Sequence, residues 1–159
     1  MITHTRVSKA FFILLVGGAL VGVLLLRFSP FSTEKNAGVF EGTITIDGKG
    51  IPVSIADTET EREQGLSGTT ALQKGSGKLF IFERPAKYGF WMKDMQYPLD
   101  IVWIDSDFTV VDVMENILPE SYPSVLYPKH EALFVVEVNA FEAKKLGLIP
   151  GAVLSITKK

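Results

Sequence analysis

The stretch Val39–Asp57, with the sequence VFEGTITIDGKGIPVSIAD, decides the fold class of this chain. Its two halves, Val39–Asp47 and Ile51–Asp57, alternate apolar and polar residues around Asp47-Gly48-Lys49-Gly50. A period of two is typical of a strand with one buried face, and glycine readily adopts the positive φ angles that tight hairpin turns require. The stretch therefore predicts a β-hairpin at the start of a β-rich domain.

Apolar runs bounded by turn residues extend this pattern to the C-terminus. The predicted strands are Gly77–Glu83, Phe90–Met92, Leu99–Asp105, Thr109–Glu115, Glu131–Val138 and Gly151–Thr157. The segment Leu118–Lys129 contains three prolines, which cannot donate to a strand ladder, so it is predicted to be a loop. The sequence predicts a mainly β (α+β) fold, an antiparallel barrel or sandwich-like sheet of about seven strands.

Two short helices are predicted to interrupt the strands. Thr58 and Glu61 have the spacing of a capping box, acidic residues follow in the first turn, and Gly65 ends the helix. The second helix is predicted over Phe141–Leu146, where Gly147 follows the last helical residue.

A run of 17 uncharged residues, Ala10–Leu26, precedes the β-rich domain. A charged residue at bilayer depth costs about 2.5–3.5 kcal/mol on insertion scales, and about 17 residues is the lower limit for a membrane span. A cleaved signal peptide is the alternative. The bulky, charged sequence Arg27–Phe31 lacks the small residues of a cleavage site, so an uncleaved single-pass helix is predicted.

These boundaries divide the chain into four parts. They are an N-terminal tail (1–9), a transmembrane anchor or signal segment (10–26), a linker (27–38) and the β-rich domain (39–159). Basic residues lie on both sides of the apolar segment in nearly equal number, so the positive-inside rule decides little. The short N-terminal tail favours an N-inside orientation, which places the domain on the extracytoplasmic side of the cell membrane.

Charge and residue types exclude several classes of function. The chain has 16 basic and 18 acidic residues, and three of the basic ones, Arg6, Lys9 and Arg27, flank the apolar segment. The remainder has a net charge near −5, which excludes the clustered basic face that a nucleic-acid surface needs. The sequence contains no cysteine, and His4 and His130 are far apart. Neither a cofactor nor a metal site is predicted.

The motif Gly89–Asp105, GFWMKDMQYPLDIVWID, resembles the signature of a prokaryotic family known as domain of unknown function 192. Flanking blocks that resemble the same family are Ala56–Leu66, Gly77–Phe82 and Val136–Gly151. Ser67 and Lys78 stand where members of the family usually have methionine, and Phe141 stands where glycine is usual. The resemblance covers Pro52–Ile156. It implies a β-rich fold, often behind a signal or anchor segment, and it supplies no activity.

Five residues are candidates for ligand binding: Arg62, Trp91, Lys93, Asp100 and Glu137. Glu137 lies among apolar residues in a predicted strand, where an acid is costly to bury unless Lys93, Arg62 or a ligand pairs with it. Asp100 opens another apolar strand and could instead accept hydrogen bonds from loop N–H groups. Trp91 is either a sugar-stacking platform or a core or rim aromatic. A structural polar network, a ligand pocket and a pair of catalytic carboxylates all remain open.

Three functions are compatible with these features. The leading hypothesis is a non-enzymatic envelope module that binds a small molecule, a glycan or a protein partner at the membrane surface. The first alternative is a hydrolase that uses Asp100 and Glu137 as a carboxylate pair, which requires the two groups to lie close together. The second alternative is an assembly partner of another membrane protein, which predicts an exposed apolar patch near Trp91 or Leu126-Tyr127.

Overall fold

A computed structural model describes residues 39–159. In chain order its elements are β1 (Gly42–Ile46), β2 (Lys49–Ala56), α1 (Glu59–Gln64), β3 (Gly77–Ala86), β4 (Leu99–Ile104), β5 (Val110–Ile117), a 3-10 turn (Pro119–Ser121), β6 (Ala132–Asn139), α2 (Ala143–Leu146) and β7 (Ser155–Lys158). The prediction of a mainly β fold with seven strands and two short helices is confirmed. The predicted tail, anchor and linker lie outside the described residues. Within residues 39–159, no helix has the length and hydropathy needed to cross a bilayer.

The seven strands form one open sheet in the order β5-β4-β6-β3-β2-β1-β7. The prediction of a closed barrel is therefore wrong. The segments next to the edge strands meet at an isolated bridge between Thr109 and Val153, and backbone hydrogen bonds join residues 108–110 to residues 151–154. Gly151, with φ 87°, turns the chain just before this bridge, and the ordered ladder of β7 runs along β1 instead.

One strand pair departs from the predicted antiparallel arrangement. β2 and β3 are parallel, whereas the other neighbouring strands are antiparallel. A parallel pair requires a crossover connection rather than a tight turn. Here α1 and the loop after it, residues 59–76, supply that crossover. This connection places α1 beside the sheet, where it forms one wall of the pocket described below.

The predicted hairpin is confirmed. β1 and β2 pair with Ile46 opposite Lys49, and the two turn residues, Asp47 and Gly48, have φ angles of 47° and 73°. Positive φ at both central residues is the requirement of the favoured two-residue hairpin turn. Lys49 and Gly50 belong to β2, so this strand begins two residues before the predicted start.

Both helix boundaries follow local sequence signals. Thr58 caps α1 through the predicted capping box with Glu61, and Gly65 ends the helix. α2 begins at Ala143, two residues after the predicted start, because Phe141 has a φ of 62° and cannot belong to a right-handed helix. Gly147 ends α2 in the left-handed conformation, as predicted.

The segment Phe90–Met92 is not a strand. Phe90 makes a single bridge to Leu126, with N–O distances of 2.9 and 2.7 Å. Pro123 and Pro128 flank Leu126 and prevent the bridge from growing into a ladder. The segment 118–129 is otherwise a loop, as predicted.

The side chains of the sheet alternate between two buried faces. Val136 and Val138 of β6 belong to a first face, which packs under α2 and the end of the chain. Val135 belongs to a second face, and its partner in β4, Trp103, lies beside it. Because successive strand residues point in opposite directions, Glu137 also belongs to the second face.

Asp100 of β4 is fully buried on the first face and joins β5 to the segment that begins α2. Its carboxylate accepts hydrogen bonds from the backbone N–H groups of Asn116, Phe141 and Ala143 at 2.8, 3.0 and 2.9 Å. Asn116 and Phe141 both have positive φ angles, which residues other than glycine adopt at an energetic cost. The bonds to Asp100 offset this cost, so Asp100 holds β4, β5 and α2 together.

We expect Asp100→Ala to destabilise the domain, because it leaves one buried and two partly buried N–H groups without an acceptor. An unpaired buried donor costs about 1–3 kcal/mol and a partly exposed one costs less, so a loss of about 2–4 kcal/mol is expected in chemical denaturation. Asp107→Ala, in the exposed β4–β5 turn, is the matched control and should change stability by less than about 0.5 kcal/mol. Equal effects of the two substitutions would contradict this role of Asp100.

Candidate functional site

A cavity of about 630 Å³ opens on the second face of the sheet. One wall is α1 with the residues that follow it, and the other is the end of β3 with the segment 88–95. Three of the five candidate residues line this pocket: Arg62, Trp91 and Glu137. Lys93 and Asp100 do not. The remaining lining comprises Glu59, Glu63, Gln64, Gly65, Leu66, Ser67, Phe80, Phe82, Glu83, Arg84, Tyr88, Gly89, Phe90 and Met95.

Glu137 is the acid that lines the buried part of the pocket. It is 5% exposed, and its Oε2 atom has no hydrogen-bond partner. Burial raises the pKa of Glu137 from 4.5 to about 8, against the opposing effect of the nearby Lys78 ammonium. At neutral pH this carboxyl group is therefore mainly protonated, and it can both donate and accept a hydrogen bond.

Lys78 is the cross-strand neighbour of Glu137 and not its salt-bridge partner. The two residues are opposite each other in the ladder between β3 and β6. Within residues 39–159 the only ion pair is between Asp57 and Lys158. Burial lowers the pKa of the Lys78 ammonium, and the charge of Glu137 opposes this effect. Ser54, the neighbour of Lys78 in β2, has a buried hydroxyl without a partner, so a polar row crosses this face.

Arg62 forms part of the pocket wall and is already held by other groups. Its Nη1 atom donates hydrogen bonds to the carbonyl oxygens of Asp57 and Ile81, at 2.6 and 2.9 Å. Its guanidinium lies over the Phe82 ring, 5.3 Å from the ring centroid. Phe82 in turn stacks on Tyr88 with the ring centroids 3.5 Å apart. This column of three side chains gives the pocket a preformed wall.

Trp91 lies at the mouth of the pocket. The side chain is 49% exposed and makes an edge-to-face contact with Tyr122, with the ring centroids 6.4 Å apart. Val125 and Tyr127, in the same proline-containing loop, are also exposed. A Cβ atom at Gly89 would lie 2.6 Å from each of these two side chains, so only glycine lets the loop pack against the segment next to Trp91.

The two candidate carboxylates point to opposite faces of the sheet. Asp100 is opposite Val138 in the ladder between β4 and β6, and Ile101 is opposite Glu137. Directly opposed residues share a face, and adjacent residues in a strand do not. Asp100 and Glu137 therefore have no common space in which a substrate could lie between them, which removes the arrangement that a carboxylate-pair hydrolase requires.

Lys93 lies on the surface outside the pocket, and its side chain is exposed. Its backbone carbonyl accepts a hydrogen bond from the Ser67 hydroxyl at 2.8 Å, which ties the loop after α1 to the segment 88–95. Among residues 39–159, no group of three or more histidine, aspartate or glutamate side chains is placed to hold a metal ion.

Several pocket residues were not among the candidates chosen from the sequence. Phe80 and Phe82 alternate along β3 and therefore face the same side as Glu137, as does Lys78, which lies outside the pocket lining. The alternation is visible in the sequence, but the pairing of β3 with β6 is not. Glu59 and Glu63, on α1, were assigned only to the first turns of a helix, although both line the pocket.

Comparison with known proteins identifies the family. The sequence profile of the DUF192 family, described as uncharacterized ACR, matches residues 42–156. The chain belongs to the DUF192 family. No curated protein matches the DUF192 chain in sequence.

Two solved structures are similar to this DUF192 chain. One is from Sinorhizobium meliloti and is described as a candidate transcription regulator. It shares 29% identity over 74% of this chain and 96% of its own, with a TM-score of 0.66. The other is a protein of unknown function from Novosphingobium aromaticivorans. It shares 28% identity over 72% of this chain and 83% of its own, with a TM-score of 0.64.

The raised pKa of Glu137 predicts how stability depends on pH. Between the ordinary pKa and about 8, the unfolded state has lost this proton and the folded state keeps it. Stability therefore falls by about 1.4 kcal/mol per pH unit across this window, and this contribution levels off above it. Glu137→Gln lacks this contribution, so the difference in unfolding free energy between variant and wild type should increase from about pH 5 to about pH 8. Parallel pH profiles in chemical denaturation would contradict the assignment.

Proposed function

We propose that this chain is a non-enzymatic binding module that holds a small molecule in the pocket between α1 and the segment 88–95, with Glu137 as the group that orients it. One observation carries the proposal: Glu137 is almost fully buried on the pocket lining, and its Oε2 atom has no partner in the protein. Buried polar atoms in folded proteins nearly always have partners, and a ligand would supply the one that is missing here.

The size and composition of the pocket support this role. Its volume of about 630 Å³ lies within the range of about 300–1,000 Å³ that is typical of small-molecule sites. The lining combines five aromatic rings, which supply apolar contact area, with charged and polar side chains that can orient a ligand. The column of Arg62, Phe82 and Tyr88 is preformed, which reduces the entropy that the protein loses on binding.

A binding role fits the arrangement of acids better than hydrolysis. Hydrolysis by a carboxylate pair needs two carboxyl groups around one bond, and Asp100 is turned away from Glu137 and occupied by three backbone N–H groups. The acids that share the pocket lining with Glu137 are Glu59, Glu63 and Glu83, all of which are exposed. As exposed side chains, these three acids give the pocket negative charge. None of them is a second buried carboxyl group that could form a catalytic pair with Glu137.

The cellular setting of the module is also part of the proposal. The uncharged segment Ala10–Leu26 supports a single-pass anchor in the cell membrane, and the proposal places the domain on its extracytoplasmic side. The domain would then meet small molecules, glycans or envelope proteins. The net negative charge of the domain supports a partner other than nucleic acid.

A second candidate function is assembly with another membrane protein. The exposed side chains Trp91, Tyr122, Val125 and Tyr127 lie on neighbouring loops and favour a protein contact at this patch. A photo-crosslinking residue in place of Tyr127, in cells, should capture a single membrane protein under this hypothesis. Crosslinks to many unrelated proteins would count against it.

The binding function predicts a specific set of stability shifts. A ligand at about 100 times its dissociation constant should stabilise the full-length chain by about 2.7 kcal/mol in a thermal-shift screen of metabolites and envelope fragments. We expect Trp91→Ala and Glu137→Gln each to weaken binding about tenfold or more, because each removes a contact in the pocket. Phe141→Ala, which removes an exposed aromatic ring outside the pocket, is the control and should bind normally.

Two outcomes would contradict this function. One is a screen in which no compound stabilises the wild-type chain. The other is a ligand whose affinity is unchanged in both pocket variants, which would place the site elsewhere.

A further inference from the structure

We propose that the ligand of this pocket is a small organic cation, an ammonium group with Glu137 as its counter-ion and aromatic rings around it. The inference rests on the proposed function and names the class of molecule that the pocket accepts. It follows from three independent features of the pocket, namely the unpartnered buried carboxyl group, the aromatic lining and the excess of acidic side chains.

The aromatic lining is the surface that organic cations recognise in proteins. Five rings line the pocket: Phe80, Phe82, Tyr88, Phe90 and Trp91. The faces of such rings carry negative electrostatic potential, and cations bind them within about 6 Å of the centroid. The pocket wall already shows this interaction, because the Arg62 guanidinium lies 5.3 Å from the Phe82 centroid. Arg62 and Tyr88 already cover Phe82, so the half-exposed Trp91 at the mouth is the ring most open to an incoming ligand.

The acidic side chains of the pocket outnumber the basic ones. Glu59, Glu63, Glu83 and Glu137 line it, against Arg62 and Arg84, so three acids face two bases when Glu137 is protonated in the empty pocket. Arg62 already donates two hydrogen bonds to backbone carbonyls, which leaves it fewer donors for an anionic ligand. An acidic cleft attracts cations and repels anions. The net charge of the domain, near −5, acts in the same direction.

Glu137 supplies the charge that a buried ammonium group requires. Lys78 from β3 acts on Glu137. Burial raises the pKa of Tyr97, from the segment before β4, and the charge of Glu137 in turn raises it further. Arg62 and Glu59 line the pocket from α1. Lys78 makes no salt bridge with Glu137, and Tyr97 shares a hydrogen bond of 2.6 Å with Thr69. The Oε2 atom of Glu137 thus stays available for a ligand.

Binding of the cation is coupled to loss of a proton. In the empty pocket the carboxyl group of Glu137 is protonated at neutral pH, because burial raises its pKa to about 8. A permanently charged ammonium ion favours the carboxylate, so the carboxyl proton passes to the solvent as the ion pair forms. The affinity for the cation should consequently rise with pH up to about 8 and then level off.

An uncharged ligand would show the opposite pH dependence. It would hydrogen-bond to the protonated carboxyl group, and its affinity would be constant below pH of about 8 and would fall above it. The direction of the pH effect therefore separates the two classes of ligand.

The experiment compares cations with uncharged molecules of the same shape. Isothermal titration calorimetry on the full-length chain would use choline against dimethylbutanol, in which carbon replaces nitrogen, and benzyltrimethylammonium against neopentylbenzene. Both cations keep their charge at every pH, so only the protein titrates. We expect at least one cation to bind at least about tenfold more tightly than its uncharged counterpart, and its affinity to rise toward tenfold per pH unit below about pH 8.

Two further measurements identify the group responsible. Titrations in buffers of different ionisation enthalpy should detect release of close to one proton per bound cation at neutral pH. Glu137→Gln should lose about tenfold or more in affinity for the cation and should lose the pH dependence. Glu131→Gln, which changes an exposed acid just before β6 and outside the pocket, should retain both.

The outcomes separate this inference from the proposed function. If neither cation binds, or if the uncharged molecules bind as tightly, the inference is overturned. Uncharged molecules that bind in a manner sensitive to Glu137→Gln and Trp91→Ala would overturn it while leaving the pocket as a binding site. Cation binding that is insensitive to Glu137→Gln would overturn the role of Glu137 as counter-ion.

Discussion

The alternation of side chains along β6 is the constraint on which the rest of the domain depends. This strand is bonded to β3 on one side and to β4 on the other, so its register sets the positions of both neighbours. Val136 and Val138 enter the core of the first face, and a shift by one residue would move them out of it. Glu137 is thereby fixed on the second face, beneath the pocket. The position of the Glu137 carboxyl group follows from the packing of valines on the opposite side of the sheet.

Local signals were sufficient to predict most of the helices and strands, although not the strand expected at Phe90–Met92, and they did not predict how distant strands pair. The turn at Asp47-Gly48 and the capping box of Thr58 with Glu61 depend on residues that are neighbours in sequence, and both are confirmed. The parallel pairing of β2 with β3 depends on how the crossover through α1 packs, which no local pattern encodes. The same limit explains the incorrect barrel, because closure depends on how far two edge strands extend along each other.

The sequence showed which residue types could form the candidate site, but not which residues contact each other there. The unusual position of Glu137 among apolar residues is readable from the sequence, and its burial agrees with that reading. Its neighbour Lys78 could not be identified, because it lies opposite Glu137 only in one register of β3 against β6. Arg62 has the right charge to pair with Glu137 but satisfies its donors on backbone carbonyls. A sequence thus shows which residues can carry chemistry, but it does not show which residues lie next to them in the fold.

The polar row on the second face is difficult to explain by stability alone. The row consists of Ser54, Lys78 and Glu137, which lie on three strands that are neighbours in the sheet. Ser54 and Glu137 each have a buried polar atom without a partner. A methionine at position 78, which the resemblance to the family implies as usual, would pack on this face without desolvating a charge. Lys78 instead places an ammonium group near Glu137, which limits the rise in the pKa of that carboxyl group. Lys78 therefore keeps the pKa of Glu137 close to neutral pH. The proposed cationic ligand then needs little energy to drive off the carboxyl proton when it binds.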